Sequence, residues 1–581
     1  MPVHNADIAD KFNQVANLLA IEGGNTFRIR AYRRAARNIS NLSRNVSHMV
    51  EEGDDLTKLI GIGDDLADKI EEMVETGELG LLKKLKERVP QGLLEMLKIS
   101  GLGPKRVREL HEQLGITSLE ELKEAAENER IRELDGFGEK TEAKIREGIS
   151  KLGEGESRTL LYVAEQRVEP LLEYLESSES ITRTVVAGSY RRRKETVGDI
   201  DILMVCYDKT EAMEHFVGYE DVEEVSAHGR DKSTVFLRSG LQVDARAVGE
   251  ESFGAALHYF TGSQAHNVAI RDRGVGEGLK INEYGVFKKE SEERIGGEAE
   301  KEVFESVGLT YIPPELREDR GEIDAAEEGY LPELIGVQDV KGDLQSHTTA
   351  SDGQNTLEEM AVAAKERGLE YLAVTDHSKK VTVANGLDEE RLSDQIDEIE
   401  QFNDNHEAIR LLRSSEVDIL EDGSLDLSDE ILERLDVCII AVHSRFNLPE
   451  EEQTERIVKA MHHPNAHILA HPTGRLINER EPYDVDMERV IEAAKDTGTI
   501  MEVNASPHRL DMADNHCKMA KEKGVKVAIS TDAHSTEELN MMKYGVWQAR
   551  RGWLEAEDVV NTMSWPDLEN LLQEKKSNSN D

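Results

Sequence analysis

Cysteine is nearly absent. Only Cys206, Cys438 and Cys517 occur in 581 residues, too few and too scattered for a disulfide framework or a paired-cysteine metal site. That usage fits a reducing compartment, and a cytoplasmic location is expected. No run approaches the roughly 18 consecutive apolar residues of a membrane span, so a membrane is excluded as a partner. The first residues, MPVHNADIADKFNQ, have neither a basic head nor an apolar stretch, and no secretory signal is expected. Positive charge is scarce: 71 Lys+Arg face 118 Asp+Glu, a formal net charge of −47. At ordinary ionic strength such a surface repels itself and any polyanion. Multimolar salt shortens the Debye length to about 3 Å and removes most of that penalty. Two readings follow: an acidic protein with no nucleic-acid partner, or a halophile's protein, acidic whatever it binds. Composition favours the first, and the motifs favour the second.

At roughly 100–200 residues per domain, the length suggests three or four units. One pattern recurs three times in the first 150 residues: an apolar residue, Gly-x-Gly, then a stretch of helical apolar spacing. The copies are LIGIG with DDLADKI (Gly61, Gly63), ISGLG with PKRVREL (Gly101, Gly103) and LDGFG with EKTEAKI (Gly136, Gly138). None follows a strand, so a dinucleotide-binding loop is excluded. From about residue 182, short β-rich runs (TRTVVAG, DIDILMVC, STVFLRS, LQVDARAV) predict a sheet. A charged, Gly/Pro-dotted stretch at 291–340 marks a boundary. From 341 to 570, apolar runs alternate with helical stretches, a β/α series with a parallel sheet. The last residues, from 573 on, are expected to be a disordered tail.

In that series, each strand ends on a polar side chain: His347, His377, Glu416, His443, His471, Asn504 and Asp532. The spacing is about 30 residues, one β/α unit. In a β/α barrel these ends converge on one face, where active sites sit. Asp352 and His534 lie close by in sequence, and Asp532 and His534 are expected on an extended segment with both side chains pointing one way. Imidazoles and carboxylates clustered at one mouth suit Zn²⁺, Mn²⁺ or Fe²⁺. The segments GDLQSHTTASDG, VTDHS, SEVDI, AVHS, AHPTGRL and STDAH resemble the PHP family of metal-dependent phosphoesterases. The resemblance implies a distorted (β/α)7 barrel holding up to three ions, Zn²⁺ and/or Mn²⁺. One would take His347, Glu416 and Asp532, a second Glu416, His443 and His471, a third Asp352, His377 and His534. Gln345 replaces the first histidine of the family's usual His-x-His, and an amide oxygen is the weaker ligand for such a metal.

In the front half, Asp199-Ile200-Asp201 puts two carboxylates on one face of a strand, and Asp244 lies in another strand-like run. Three converging carboxylates suit Mg²⁺, shared with substrate phosphates and water. Upstream, Gly188-Ser189-Tyr190-Arg191-Arg192 offers backbone N–H groups and cations to phosphate. GSYRRRKETVGDID, QVDAR, YFTGSQAHNVAIR and INEYG resemble the nucleotidyltransferase core of family X DNA polymerases. By that resemblance, Asp199, Asp201 and Asp244 hold Mg²⁺ or Mn²⁺, and Asp244 helps to activate the primer 3′-OH. Ser189, Arg192, Gly188, Gly198 and Arg158 hold the dNTP triphosphate. Tyr259, Phe260 and Gly262 line the sugar pocket, Asn267 meets the base and Arg271 the template. Val197 departs from relatives that carry Ser there. The Gly-x-Gly repeats resemble helix-hairpin-helix elements, which grip DNA phosphates without reading sequence. Lys69 matches the position of a Schiff-base lysine that removes 5′-deoxyribose phosphate, with Arg28 and Tyr32 as phosphate contacts, although Asp65 replaces a phosphate-binding lysine.

The two resemblances imply a multidomain α/β chain: a helical lyase-like DNA-binding domain (1–80), a helix-hairpin-helix domain (81–152), an α+β palm (153–248), a thumb-like domain (249–320), a linker (321–338), the PHP barrel (339–572) and the tail (573–581). The expected activity is short-gap filling in DNA repair, joined to a metal-dependent 3′–5′ exonuclease with AP-endonuclease cleavage as a further activity. Gapped or nicked DNA and dNTPs are the expected partners, and the chain is expected to be a monomer. Composition points to a salt-loving archaeon. Two rivals stay open: a small-molecule phosphoesterase resembling histidinol phosphatase, and a DNA-binding scaffold with dead sites.

Overall fold

The computed structural model describes residues 5–40, 46–59, 61–90, 92–97, 99, 102–134, 136–152 and 158–578. The chain divides into two units, Met1–Ser157 and Arg158–Asp581. Among the described residues, no helix is long and apolar enough to cross a membrane.

The first unit is helical, around a core that includes Phe12, Tyr32, Ile70, Val107 and Phe137. Gly61 and Gly136 turn their hairpins at φ +78° and +81°, a left-handed conformation that glycine reaches without a Cβ clash. Gly63 caps helix Asp64–Thr76 and Gly103 caps helix Pro104–Leu114. Pro104 opens its helix at a position where an N–H would be unsatisfied in any case. The Gly138 carbonyl accepts from the N–H groups of Thr141 and Glu142 at 2.9 and 3.1 Å. Gly101 lies outside the described residues. Helix Leu119–Glu127 buries Leu122, Ala125 and Ala126 and exposes its glutamates, as expected of an acidic solvent face.

The second unit opens with a five-stranded sheet. Its strands are β1 (Ile181–Val186), β2 (Asp199–Cys206), β3 (Val222–Ala227), β4 (Lys232–Leu237) and β5 (Gln242–Val248), in the order β1-β2-β5-β4-β3. Only β2 and β5 run parallel, with Asp201 opposite Asp244. In β2, Ile200 and Ile202 are wholly buried, so the period of two turns Asp199 and Asp201 to the other face. Helices Phe253–Thr261 and Gln264–Gly276 follow, with an antiparallel sheet of β6 (Leu279–Asn282), β7 (Gly285–Lys288) and β8 (Arg294–Gly296).

Seven parallel strands form the rest: β9 (Gly342–Ser346), β10 (Tyr371–Val374), β11 (Arg410–Asp418), β12 (Val437–Ala441), β13 (Ile468–Leu469), β14 (Ile500–Asn504) and β15 (Val527–Ser530), in sequence order. Just beyond β9 and β15 the barrel closes. The His347 N–H donates to the Ala533 carbonyl at 2.8 Å, and the Asp532 N–H donates to the Gln345 carbonyl at 3.1 Å. The strands are buried along nearly their whole length, as parallel strands covered by helices are.

Two expectations are corrected. Residues 321–338 do not begin as a linker: helix Glu322–Glu328 sends Ala325 and Ala326 into the core beside Val303 and Phe304. Its apolar residues are few but share one face, which the charged composition conceals. Nor does a tail begin at 573, because helix Trp565–Asn578 runs through it. Lys575 is buried, and its ammonium donates to the Met461 and Thr497 carbonyls (3.2 and 3.0 Å) and the Thr499 hydroxyl (2.7 Å). A lysine satisfied by carbonyls reads in sequence as a solvated one.

Candidate active sites

The front site is built on β2 and β5. Their parallel register sets Asp201 beside Asp244, with Asp199 two residues back on the same face. The three carboxylates repel one another. Burial, then Asp199 and Asp244, push Asp201 up to about 7. Burial and Asp244 raise Asp199 as well. Two protein donors hold Asp244: Lys232 Nζ lies 2.9 Å from Oδ2 and the Thr234 hydroxyl donates to Oδ1 at 2.5 Å. Both come from β4 at i and i+2, one face of one strand.

The one-turn helix Gly188–Arg191 packs directly on this cluster. A Cβ at Gly188, where φ is +63°, would lie 2.8 Å from Asp201 Oδ2, so the position tolerates glycine alone. Arg192 donates from Nη1 to the Thr261 carbonyl (2.5 Å) and from Nε to Glu318 (3.1 Å). A Cβ at Gly262 would stand 3.0 Å from Arg192 Nη1. Arg158 donates to the Thr196 hydroxyl and carbonyl at 2.9 and 2.8 Å and lies against Gly198. Phe260 lies under the Arg246 guanidinium, 4.2 Å away, and edge-on to Tyr259. Asn267 donates to the Tyr259 carbonyl at 2.6 Å and leaves its buried Oδ1 without a partner. Arg271 donates to the Asn267 carbonyl at 3.2 Å. Ser189 sits in the helical turn. Of these residues, Gly188 lies directly against the carboxylate trio, through Asp201, and Gly262 lies against Arg192.

The rear site is the barrel mouth. Among the described residues, three sets of ligand-type atoms lie within 4.8 Å of one another, and all are here: His347, Asp352, His377 and His534; His377, Glu416 and His443; His347, Glu416 and Asp532. Glu416 is the hub, 2.9 Å from His471 Nε2, 3.2 Å from His443 Nε2 and 2.9 Å from His377 Nδ1. Asp352 stands 3.6 Å from both His377 and His534. Several atoms lack a hydrogen bond although wholly buried: His347 Nδ1, His377 Nδ1, His471 Nδ1, Glu416 Oε2 and Gln345 Oε1. Nδ1 of His377 and Oε2 of Glu416 face each other without hydrogen-bond geometry, as two ligands of one ion would. The donor set fits divalent metal. Burial works against protonation of His443 and His534, but Glu416 and Asp418 for the first, and Asp352 and Asp532 for the second, hold each up to about 10.

Two details differ from expectation. Asp532 is not extended: its φ is +56°. The kink sends Asp532 to His347 and Glu416 and His534 to Asp352, so the Asp-x-His pair serves two clusters. Gln345 turns Nε2 toward Asp532 Oδ1 at 3.3 Å, so the amide donates to a ligand carboxylate.

The sequence matches the families described as helix-hairpin-helix domain over residues 3–79, SAM-like helix-hairpin-helix tandem over 93–151, DNA polymerase beta palm over 163–258, DNA polymerase beta thumb over 256–318 and PHP domain over 343–506. It is 38% identical over 573 residues to the DNA polymerase/3′–5′ exonuclease PolX of Bacillus subtilis (strain 168), covering 98% of this chain and 100% of that protein. The chain belongs to the family X DNA polymerases with a C-terminal PHP domain. Probable phosphatases of Thermoanaerobacter sp. (strain X514) and Syntrophotalea carbinolica match at 29% and 27% identity, over 40% and 38% of this chain and 95% and 90% of theirs.

Against this polymerase family, some expected contacts stand differently. Tyr32 is a core residue, 1% exposed and edge-on to Phe12 at 5.4 Å. It offers no surface for DNA, whereas Arg28, Arg30, Arg33 and Arg34 around it are exposed. Lys69 is paired with Asp65 at 2.5 Å and also donates to its carbonyl.

Other residues escaped the sequence reading. Asp418 binds the His443 N–H (3.1 Å) and Nδ1 (3.2 Å), which aims Nε2 at Glu416. Asp376 accepts from the Thr348 and Ser351 N–H groups and shapes the loop that carries His347 and Asp352. Glu502 accepts from the His471 N–H at 2.8 Å, and burial pushes its carboxyl well above the usual range. Arg509 stands 3.6 Å from Asp532. The signal for Asp418 and Glu502 was there: each lies two residues from a strand-end side chain, on the same face.

Proposed function

We propose that this chain fills short DNA gaps with its front site and trims 3′ ends with its rear site. The observation that carries the reading is the parallel pairing of Asp201 with Asp244 beneath the Gly188–Arg191 turn. DNA is the bound polymer, and the hairpins and exposed arginines of the helical unit suit its phosphates. Divalent cations, when bound, neutralise phosphoryl charge and activate the 3′-OH at the front and water at the rear.

At the front, Asp199 and Asp201 hold Mg²⁺ or Mn²⁺, and Asp244 takes the 3′-OH proton. The backbone and hydroxyl of Ser189, with Arg192 and Arg158, bind the triphosphate of a dNTP and carry the charge of departing pyrophosphate. Tyr259 and Phe260 pack the sugar, and Asn267 offers its unpaired Oδ1 to the base. At the rear, the three clusters hold up to three Zn²⁺ or Mn²⁺ ions. Gln345 steers Asp532, Asp418 orients the imidazole of His443, and Glu502 holds the backbone N–H of His471. Abasic-site cleavage uses the same rear site. The Lys69–Asp65 pair favours a structural ammonium over a Schiff-base amine. The working form is a monomer.

The test is primer extension on a one-nucleotide gap with Mg²⁺ or Mn²⁺ in high KCl. Wild type extends and Asp201→Ala does not. Absence of wild-type incorporation, or unchanged incorporation by Asp201→Ala, overturns the polymerase reading.

A further inference from the structure

The segment that follows the nucleotide turn is gripped from the PHP half. Arg551 ends helix Met542–Arg551 and is 3% exposed. Its Nη1 donates to the Arg192 carbonyl at 2.8 Å and to Glu318 Oε1 at 3.1 Å, and its Nη2 to Asp514 Oδ2 at 2.6 Å. Glu318 Oε1 is the same atom that accepts from Arg192 Nε, with Lys194 4.0 Å away. Asp514 also meets Arg320 at 3.0 Å. Two further grips flank the first. Arg475 pairs with Glu195 at 2.7 Å, and the Arg193 guanidinium lies 3.9 Å from the centre of the Trp547 ring.

The cluster counts four cations, Arg192, Lys194, Arg320 and Arg551, against two carboxylates, Glu318 and Asp514. One cation can therefore leave without stranding an acid. Burial alone would raise Glu318, but Arg551, Lys194 and Arg192 hold it down at about 2. Arg192 is the member at the nucleotide turn, and its departure leaves Glu318 still bound by Arg551.

The other side of the helix is fixed to the barrel. A Cβ at Gly545 would lie 2.5 Å from Ile529 Cγ2 and 2.7 Å from Ala505 Cβ. Ile529 belongs to β15, and Ala505 directly follows β14. The anchor of Arg551 is thus as rigid as the barrel wall. A brace that only joined two domains could end on any surface group; this one ends on a carbonyl of the nucleotide turn and on the carboxylate that parks Arg192.

We propose that Arg551 is a positioning residue for nucleotide incorporation: it fixes the Arg192 carbonyl, and with it the turn, and retains Glu318 so that the Arg192 guanidinium is free to move to the incoming triphosphate. The polymerase site is thereby completed by the last turn of a helix that belongs to the exonuclease half. This inference rests on the polymerase reading of the Gly188–Arg192 turn.

The experiment uses the full chain on a one-nucleotide gap, with Arg551→Ala and Arg551→Lys. The Ala variant is expected to raise KM for the dNTP about tenfold, as loss of charge-assisted hydrogen bonds does, with a smaller change in kcat. KM for pyrophosphate in the reverse reaction rises in parallel, because the same turn binds it. Affinity for gapped DNA and the 3′–5′ exonuclease rate stay at wild-type values. Lys keeps the charge but not the fork, and recovers part of the loss. An unchanged KM for dNTP, or an equal fall in exonuclease and polymerase rates, overturns the proposal. If the Ala variant does not fold, the Lys variant decides by the same two readouts. Wild type that fails to extend the primer would sink the polymerase reading itself, whereas wild type and variant extending alike would sink only the role of Arg551.

Discussion

Asp201→Asn should make the metal-free protein more stable while removing incorporation. The wild-type carboxyl has an ordinary value near 3.8 and is pushed to about 7 by burial, Asp199 and Asp244. Since the native state binds the proton more tightly than the unfolded chain, ionising Asp201 costs folding free energy. The cost is full above about pH 7 and vanishes as pH falls toward 4. A shift of that size corresponds to roughly 2–4 kcal/mol at pH 8. Asn keeps the shape and removes the charge, so it recovers most of that cost. For a unit of this size the gain is on the order of 5 °C in Tm. The assay is thermal unfolding in EDTA at pH 8 and pH 5, followed by addition of Mg²⁺ at pH 8. The variant should melt higher than wild type at pH 8, and the gap should narrow at pH 5. Mg²⁺ should raise the wild-type Tm and leave the variant nearly unmoved, because ion binding to the native state alone stabilises it. A variant that melts lower than wild type at pH 8, or a gap independent of pH, would refute the claim that crowded carboxylates load this site with repulsion.

Three more outcomes follow from the geometry. His443→Ala should abolish 3′ trimming, at least about 100-fold, and leave gap extension intact, as a paired exonuclease and extension assay on one preparation would register. Gln345→His should tighten divalent-metal binding at the His347, Glu416 and Asp532 cluster about tenfold, read by calorimetric titration with Zn²⁺ or Mn²⁺; equal affinity would show that the amide is no handicap. Gly188→Ala should cost about 1–2 kcal/mol of stability from the positive φ alone and at least about tenfold in incorporation, measured by denaturant unfolding and single-turnover extension.

Much of both sites was legible because parallel β/α folding places one side chain per repeat at the same end. His347, His377, Glu416, His443, His471 and Asp532 needed only that rule. The trio Asp199, Asp201 and Asp244 needed only the strand period and one register. What stayed hidden depended on pairings no single strand reveals. Lys232 and Thr234 meet Asp244 because β4 lies beside β5, a neighbour the local sequence does not name. The left-handed φ of Asp532 splits an Asp-x-His pair that an ideal strand would keep together. Tyr32 was placed at a phosphate by resemblance alone, whereas its helical position turns it toward Phe12. Lys575 was misplaced because its run is polar, and only the fold supplies the carbonyls that receive it. The contacts of Arg551 span 359 positions to Arg192 and 233 to Glu318, beyond any local pattern.

The enclosed ion pairs around Glu318 and Asp514 bear on how the fold responds to salt. Dissolved ions weaken attraction between charges that they can surround, so the many surface carboxylates are left to hydration. Arg551, 3% exposed, should keep Glu318 and Asp514 as KCl rises. As salt rises, the joint between the two catalytic halves should therefore outlast the ion pairs on the protein's exterior.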